Sequence, residues 1–187
     1  MHMETEVAGH SQIVIRLMIG FILLVSALTK LRSLPAFVEG VLDYRVLPPT
    51  IARPFGWFLP FVELGTAVLL LADVLPLLAG GLTLSLLVSF ALALAINAGR
   101  GRAIPCYCFG ANQQHRIGWQ TLVRDVVLLP PASWLLWAAV SGTSQPMPQS
   151  LFPRLSILGI AMLGALVYGL TIESLDLFFA SPFSQSR

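Results

Sequence analysis

Five stretches of mostly apolar residues, each close to the length of a membrane-spanning helix, dominate this sequence of 187 residues. A hydrocarbon core about 30 Å thick takes roughly 20 apolar residues in a helix. The sequence therefore predicts an all-α integral membrane protein, a bundle of about five transmembrane helices with a four-helix core plus one. The predicted spans cover residues 13–30, 55–72, 75–98, 119–140 and 155–177.

The scarcity of charged residues supports this fold class. Charged residues make up 11% of the chain and hydrophobic residues 56%, whereas a soluble domain carries about 25% charged residues. The basic residues cluster near the ends of the predicted spans, as membrane loops require. The net charge of +2 is too small to indicate a nucleic-acid partner, so the expected surroundings are lipid.

The predicted domain organisation is a single transmembrane helical domain over residues 12–178. We expect a disordered N-terminus over residues 1–11 and a short C-terminal tail over 179–187. The second and third spans are separated only by Asp73 and Val74, which predicts a tight hairpin.

The loop after the first span carries its own helical pattern. Ser33 is suited to an N-cap, and Pro35 is tolerated in a first helical turn. We expect a short interfacial helix that lies on the membrane. Its apolar face would hold five residues at helical spacing: Leu34, Phe37, Val38, Val41 and Leu42.

Small residues recur every fourth position in the third span, and such stripes usually allow close helix packing in lipid. The stripe ends at Asn97, whose amide is close in sequence to the cysteines and could orient a polar partner. Its members are Gly81, Ser85, Ser89, Ala93 and Asn97.

The two cysteines of the chain, Cys106 and Cys108, are separated only by Tyr107. A disulfide between them would close a very small ring, and departures from the preferred disulfide geometry store strain. Strained, exposed disulfides are easily reduced and tend to be catalytic. The pair therefore predicts thiol–disulfide chemistry, while two inert cysteines at a membrane surface remain the simpler alternative.

Basic residues near the pair could lower the pKa of a thiol, and His115 and Arg124 are two of them. Arg124 could also lie beneath the cysteine loop. A zinc site with Cys106, Cys108 and His115 as ligands is a further alternative, but the usual Cys-x-x-Cys spacing is absent. We therefore expect no metal.

Glu63 lies near the middle of the second predicted span. A carboxylate there is costly and is a candidate functional residue by default. It could supply protons beside a dithiol, because disulfide reduction consumes protons. The alternative is a structural ion pair with Arg16 or Arg124.

Four sets of residues together resemble the MauE family, a methylamine-utilisation membrane protein family related to DoxX-type proteins. The most specific is Cys106-Tyr107-Cys108-Phe109-Gly110, and the resemblance covers roughly residues 12–140. The others are Lys30-Leu31 with Pro35 and Phe37, Leu59-Pro60-Phe61-Val62-Glu63, and Gly118-Trp119 with Arg124-Asp125.

The resemblance implies a multi-pass protein of the bacterial inner (cytoplasmic) membrane. It also implies a role in maturing methylamine dehydrogenase, a periplasmic enzyme whose small subunit contains many disulfides. Cys106 and Cys108 would then exchange disulfides with a thioredoxin-like partner, MauD. Two alternatives stay open: a non-catalytic membrane scaffold for that partner, and a disulfide oxidase that uses a bound quinone as cofactor.

The charge distribution and the resemblance predict opposite positions for the cysteines. Five spans place the cysteine loop at the same end as most basic residues, which the positive-inside rule assigns to the cytoplasm. A periplasmic client would favour the outside. The basic residues at the cysteine end are Lys30, Arg32, Arg45, Arg53, Arg100, Arg102, Arg116, Arg124 and Arg187, against Arg16 and Arg154 at the other.

Overall fold

The computed structural model describes the backbone of residues 2–100, 119–148 and 151–179. These residues form helices and connections, with no strand among them, so the predicted all-α fold class is confirmed. The helices are α1 (His2–Arg32), α2 (Leu34–Asp43), α3 (Pro49–Ala72), α4 (Pro76–Gly99), α5 (Trp119–Val140) and α6 (Leu151–Phe179).

Three helices are long and apolar enough to cross a membrane: α1 from His10 onwards, α3 and α4. Shorter apolar stretches within the described residues cover Asp125–Val140 of α5 and Leu155–Thr171 of α6. The fold is that of a helical membrane protein. Assigning α5 and α6 as the fourth and fifth spans remains a prediction.

The helix bounds differ from the predicted spans mainly at N-termini. α1 begins at His2, inside the segment predicted to be disordered. α3 begins at Pro49, before the predicted start of the second span, because proline is well tolerated in a first helical turn. Pro54 and Pro60 lie inside α3, and the helix continues through both.

The hairpin between α3 and α4 is as tight as predicted. Asp73 follows the last residue of α3 with a φ of 59°, in the left-handed conformation common at helix C-termini. Leu75 is also left-handed, with a φ of 50°, and α4 begins at Pro76. The turn therefore reverses the chain within three residues, Asp73 to Leu75, and makes α3 and α4 antiparallel neighbours.

α2 is the helix predicted after the first span, and its apolar face packs on α3. Phe37 and Val38 are buried, and a Cβ added to Gly56 would meet the Cα of Val38 at 3.4 Å. Ser33 occupies the N-cap position, but its hydroxyl donates to the carbonyl of Thr29 instead of capping α2.

The small-residue stripe predicted to pack α4 is displaced by one position. Ser85 and Ser89 are exposed, and their hydroxyls donate to carbonyls of their own helix. The close approach occurs at Gly80, where an added Cβ would lie 3.1 Å from the Cα of Leu136 in α5. At Gly81 the same atom would meet nothing within 4 Å.

Candidate functional site

Four of the predicted site residues, Cys106, Tyr107, Cys108 and His115, lie outside the described residues. The backbone of Arg124 belongs to α5, and its side chain is likewise outside the description. The geometry of the cysteine pair therefore remains a prediction. The structure describes the helix ends that carry this segment and the polar groups that lie beneath them.

The helices before and after the cysteine segment place both of its ends at one end of the bundle. α4 ends at Gly99, and α5 begins at Trp119 and runs antiparallel to α4. Arg100 immediately follows α4, and its Nη1 donates to the carbonyl of Arg45 at 3.0 Å. This bond ties the start of the cysteine segment to the connection between α2 and α3.

Glu63 forms an ion pair with Lys30 in the interior of the same half of the bundle. The Lys30 ammonium donates to Glu63 Oε1, and the two side chains are 1% and 0% exposed. The predicted alternative in which Glu63 pairs with Arg16 is wrong, because Arg16 pairs with Asp73 instead. Lys30 lies at the end of the first predicted span, where the sequence predicts a loop charge, and the structure places it in the interior.

The ion pair and the side chains around it come from four helices. Lys30 Nζ in α1 lies 4.4 Å from the ring centroid of Phe90 in α4 and 5.3 Å from that of Phe37 in α2. Ser26 Oγ donates to Glu63 Oε2 at 3.5 Å. A desolvated ammonium over an aromatic face gains up to about 2 kcal/mol, so the two rings replace part of the lost hydration.

This arrangement allows a specific kind of proton chemistry. Lys30 and Glu63 have zero net charge when both are ionised and also when the proton lies on the carboxylate. Moving that proton between them leaves the net charge of the lipid-embedded interior unchanged, which avoids the large cost of an isolated buried ion.

Asn97 is fully buried near the end of α4. Its Nδ2 donates to the carbonyl of Ala93 at 2.8 Å, while its Oδ1 has no hydrogen-bond partner among the described residues. Phe90, which contacts Lys30, lies about two turns earlier on the same helix. Asn97 therefore offers an acceptor between the ion pair and the cysteine segment.

A second polar cluster occupies the opposite end of the bundle. Arg16 Nη1 donates to Asp73 Oδ1 and lies 3.4 Å from the carbonyl of Gln145. The backbone N–H of Met147 donates to Asp73 Oδ2 at 3.0 Å, and that of Gln145 to Gln12 Oε1 at 2.8 Å. α1, the α3–α4 turn and the loop after α5 are thereby joined.

Sequence reasoning missed Lys30 and Asp73 as ion-pair partners, although the spacing carried a usable signal. Arg16 and Lys30 are separated by nearly four helical turns and lie on one face of α1. Glu63 lies within α3, and Asp73 follows the last residue of that helix. Because α1 and α3 are antiparallel, two bases along α1 and two acids along α3 and its C-terminal end predict two ion pairs. The later base, Lys30, then lies opposite the earlier acid, Glu63, and Arg16 lies opposite Asp73.

Comparison with known proteins identifies relatives of one kind. The family model for methylamine utilisation protein MauE matches residues 9–138. The methylamine utilization protein MauE of Methylorubrum extorquens is 35% identical over 80% of this chain and 79% of its own. The protein of the same name from Paracoccus denitrificans is 35% identical over 73% of this chain and 72% of its own. No solved structure matches.

Proposed function

The chain belongs to the MauE family of methylamine utilisation proteins, and we propose that it is a membrane thiol–disulfide exchange protein that supports the maturation of methylamine dehydrogenase. The observation that carries the proposal is the Cys106-Tyr107-Cys108 pair, the only thiols of the chain, placed between the candidate membrane span α4 and the apolar helix α5. The client would be the disulfide-rich small subunit of that enzyme or a similar periplasmic protein.

The proposed reaction is a balanced exchange. A thiolate of one dithiol attacks the disulfide of the other protein, a mixed disulfide forms, and its resolution leaves the first pair oxidised and the second reduced. Two electrons and two protons pass from the dithiol to the disulfide. A thioredoxin-like protein of the MauD kind is the expected exchange partner. The scheme holds for either direction of electron flow and needs no metal or quinone.

Three features support the proposed site. Lys30 and Glu63 form a buried ion pair in the half of the bundle that carries the cysteine segment, and a proton can pass between them without a change of net charge. Asn97 offers a buried acceptor at the end of α4. Arg100 opens the cysteine segment and, with Arg124 and His115 near it in sequence, would favour the thiolate form.

Mixed-disulfide trapping tests the exchange directly. The double variant Cys106→Ser/Cys108→Ser has no thiol at all and serves as the matched control. We expect each single serine variant to trap the thioredoxin-like partner as a reducible adduct, and all three variants to lose client maturation while the protein stays inserted. Normal maturation with the double variant would instead favour a scaffold whose cysteines have no role.

A quinone-linked oxidase is the remaining alternative, and the same preparation tests it. We expect protein purified in mild detergent to oxidise no dithiol when a soluble quinone is the only oxidant supplied. Stoichiometric bound quinone, reduced by added thiols only when both cysteines are present, would replace the exchange proposal with the oxidase.

A further inference from the structure

The guanidinium of Arg16 is buried, but only one of its edges is used. Arg16 is 7% exposed. Its Nη1 donates to Asp73 and faces the carbonyl of Gln145, while Nε and Nη2 have no hydrogen-bond partner within the described part of the chain. A buried donor left unpaired costs about 1–3 kcal/mol, and more when it is charged.

The two unpaired nitrogens form a recognisable donor. Nε and Nη2 lie on one edge of the planar guanidinium, where their N–H groups point in parallel and match the two oxygens of a carboxylate or phosphate. Arg16 also lines a cavity of about 20 Å³. One water-sized atom needs roughly 10–15 Å³ of such space, so one or two oxygens of a larger group fit inside.

The surroundings limit the charge of that group. Asp73, the carboxylate beside Arg16, has Oδ1 on Arg16 and Oδ2 on the N–H of Met147. The pair is near neutrality, so a singly charged or zwitterionic group is favoured over a dianion. Leu69, Val74 and Pro76 add apolar surface to the cavity wall.

We propose that the Nε/Nη2 edge of Arg16 binds the phosphodiester of a membrane phospholipid at the end of the bundle opposite the cysteine segment. The phosphodiester carries one negative charge, and its two free oxygens match the spacing of the two N–H groups on the guanidinium edge. Asp73 lies in the turn between two apolar helices, where headgroups are expected, and Arg16 lies just inside it. The apolar wall would contact the glycerol and upper acyl chains.

Native mass spectrometry of the full-length protein, released from the membrane in mild detergent, measures this binding. Arg16→Lys keeps a cation for Asp73 but removes the two-pronged edge, so we expect phospholipid adducts to be lost with the fold retained. Added phosphatidylglycerol should bind at least about tenfold more weakly to this variant, the loss expected for one charge-assisted hydrogen bond. Arg53→Lys, at an arginine that is 65% exposed at the other end, is the matched control and should bind as wild type.

A second variant keeps the test valid if Arg16→Lys unfolds. Ser144 lines the cavity from the loop after α5, and Ser144→Phe should block the cavity without altering the ion pair. It should lose the adduct while its melting temperature stays within a few degrees of wild type. Equal phosphatidylglycerol binding by wild type and both variants, a wild type that carries no lipid, or binding of inorganic phosphate in place of lipid would each contradict the proposal. Client maturation is a separate measurement, so its loss or retention leaves this result unchanged.

Discussion

At Lys30 and Glu63 each charge is stabilised chiefly by the other, because neither side chain reaches water or lipid headgroups. Removing one partner from a buried ion pair leaves an uncompensated charge and costs about 3–5 kcal/mol. Replacing both by apolar residues of similar size is often neutral or stabilising. The pair therefore has a stability signature that separates it from an exposed ion pair.

We predict that Lys30→Met and Glu63→Leu each lower the free energy of unfolding by about 3–5 kcal/mol. The double variant Lys30→Met/Glu63→Leu should recover most of that loss, because no charge is then left unpaired. Thermal unfolding in detergent, followed by size-exclusion fluorescence, ranks the stabilities of the two single variants and the double variant. Glu39→Gln is the control: Glu39 is exposed and lies 3.8 Å from Arg53, and exposed pairs contribute about 1 kcal/mol or less. Additive losses in the double variant would contradict the mutual stabilisation.

The same double variant tests whether the pair also serves the chemistry. If Glu63 exchanges a proton with the cysteine site, the folded double variant should exchange disulfides at least about tenfold more slowly, since positioned acids and bases contribute about 10²–10⁴. The rate of reaction with a reduced thioredoxin-like protein, followed by thiol alkylation, provides the measurement. A folded double variant with the wild-type rate would make the pair purely structural and remove Glu63 from the site.

The identity of the Glu63 partner shows where sequence reasoning stops at the residue scale. The cost of a carboxylate in lipid is enough to predict that Glu63 is paired or functional. Choosing between Arg16 and Lys30 requires the direction and register of α1 against α3, which the pattern within either helix alone does not contain. The structure fixes both through two ion pairs, Arg16–Asp73 and Lys30–Glu63.

At the scale of elements, the close approach of α4 to α5 at Gly80 determines which face of α4 points into the bundle. Both Gly80 and Gly81 could belong to a small-residue stripe, and the sequence alone favoured the stripe through Gly81 because serines and alanine continue it. In lipid an apolar or a small face can point outward at little cost, so periodicity does not identify the buried side. Thr83, Leu86, Leu87 and Leu94 follow the Gly80 side into the interior.

Gly80→Ala and Gly81→Ala form a matched pair of substitutions that tests this orientation. An added Cβ at Gly80 lies 3.1 Å from the Leu136 Cα, so the helices must move apart, which costs roughly 1–3 kcal/mol. At Gly81 the methyl meets no neighbour and alanine is the better helix former. We expect a lowered melting temperature for the first and an unchanged or raised one for the second. Equal effects would place α4 in another rotation about its axis.

For the whole molecule, one buried ion pair lies toward each end of the bundle. Lys30 and Glu63 lie toward the end that carries the cysteine segment, and Arg16 and Asp73 lie at the other. Both Lys30 and Arg16 are neutralised inside the protein, so neither belongs in a count of free loop charges. The excess of basic residues at the cysteine end persists without them, in Arg32, Arg45, Arg53, Arg100, Arg102, Arg116, Arg124 and Arg187, against Arg154 at the other end.

This corrected charge count predicts the orientation of the protein. Short loops rich in arginine stay in the cytoplasm, which places Cys106 and Cys108 at the cytoplasmic face. We expect a membrane-impermeant maleimide to leave reduced Cys106 and Cys108 unlabelled in intact spheroplasts and to label both once the membrane is permeabilised. Engineered Ser144→Cys in the thiol-free double variant is the control, because Ser144 lies at the other end and should label without permeabilisation.

The labelling result also decides how the proposed exchange reaches a periplasmic client. If Cys106 and Cys108 lie at the cytoplasmic face, they exchange disulfides with cytoplasmic dithiols. A further redox carrier must then connect them to the periplasmic client. Ready labelling of Cys106 or Cys108 from outside, with Ser144→Cys protected, would reverse the orientation. It would show that the arginines stay outside despite the charge rule and that direct exchange with a periplasmic thioredoxin-like partner is accessible. The basic residues around the cysteine segment would then be expected to serve the thiolates or the partner rather than the topology.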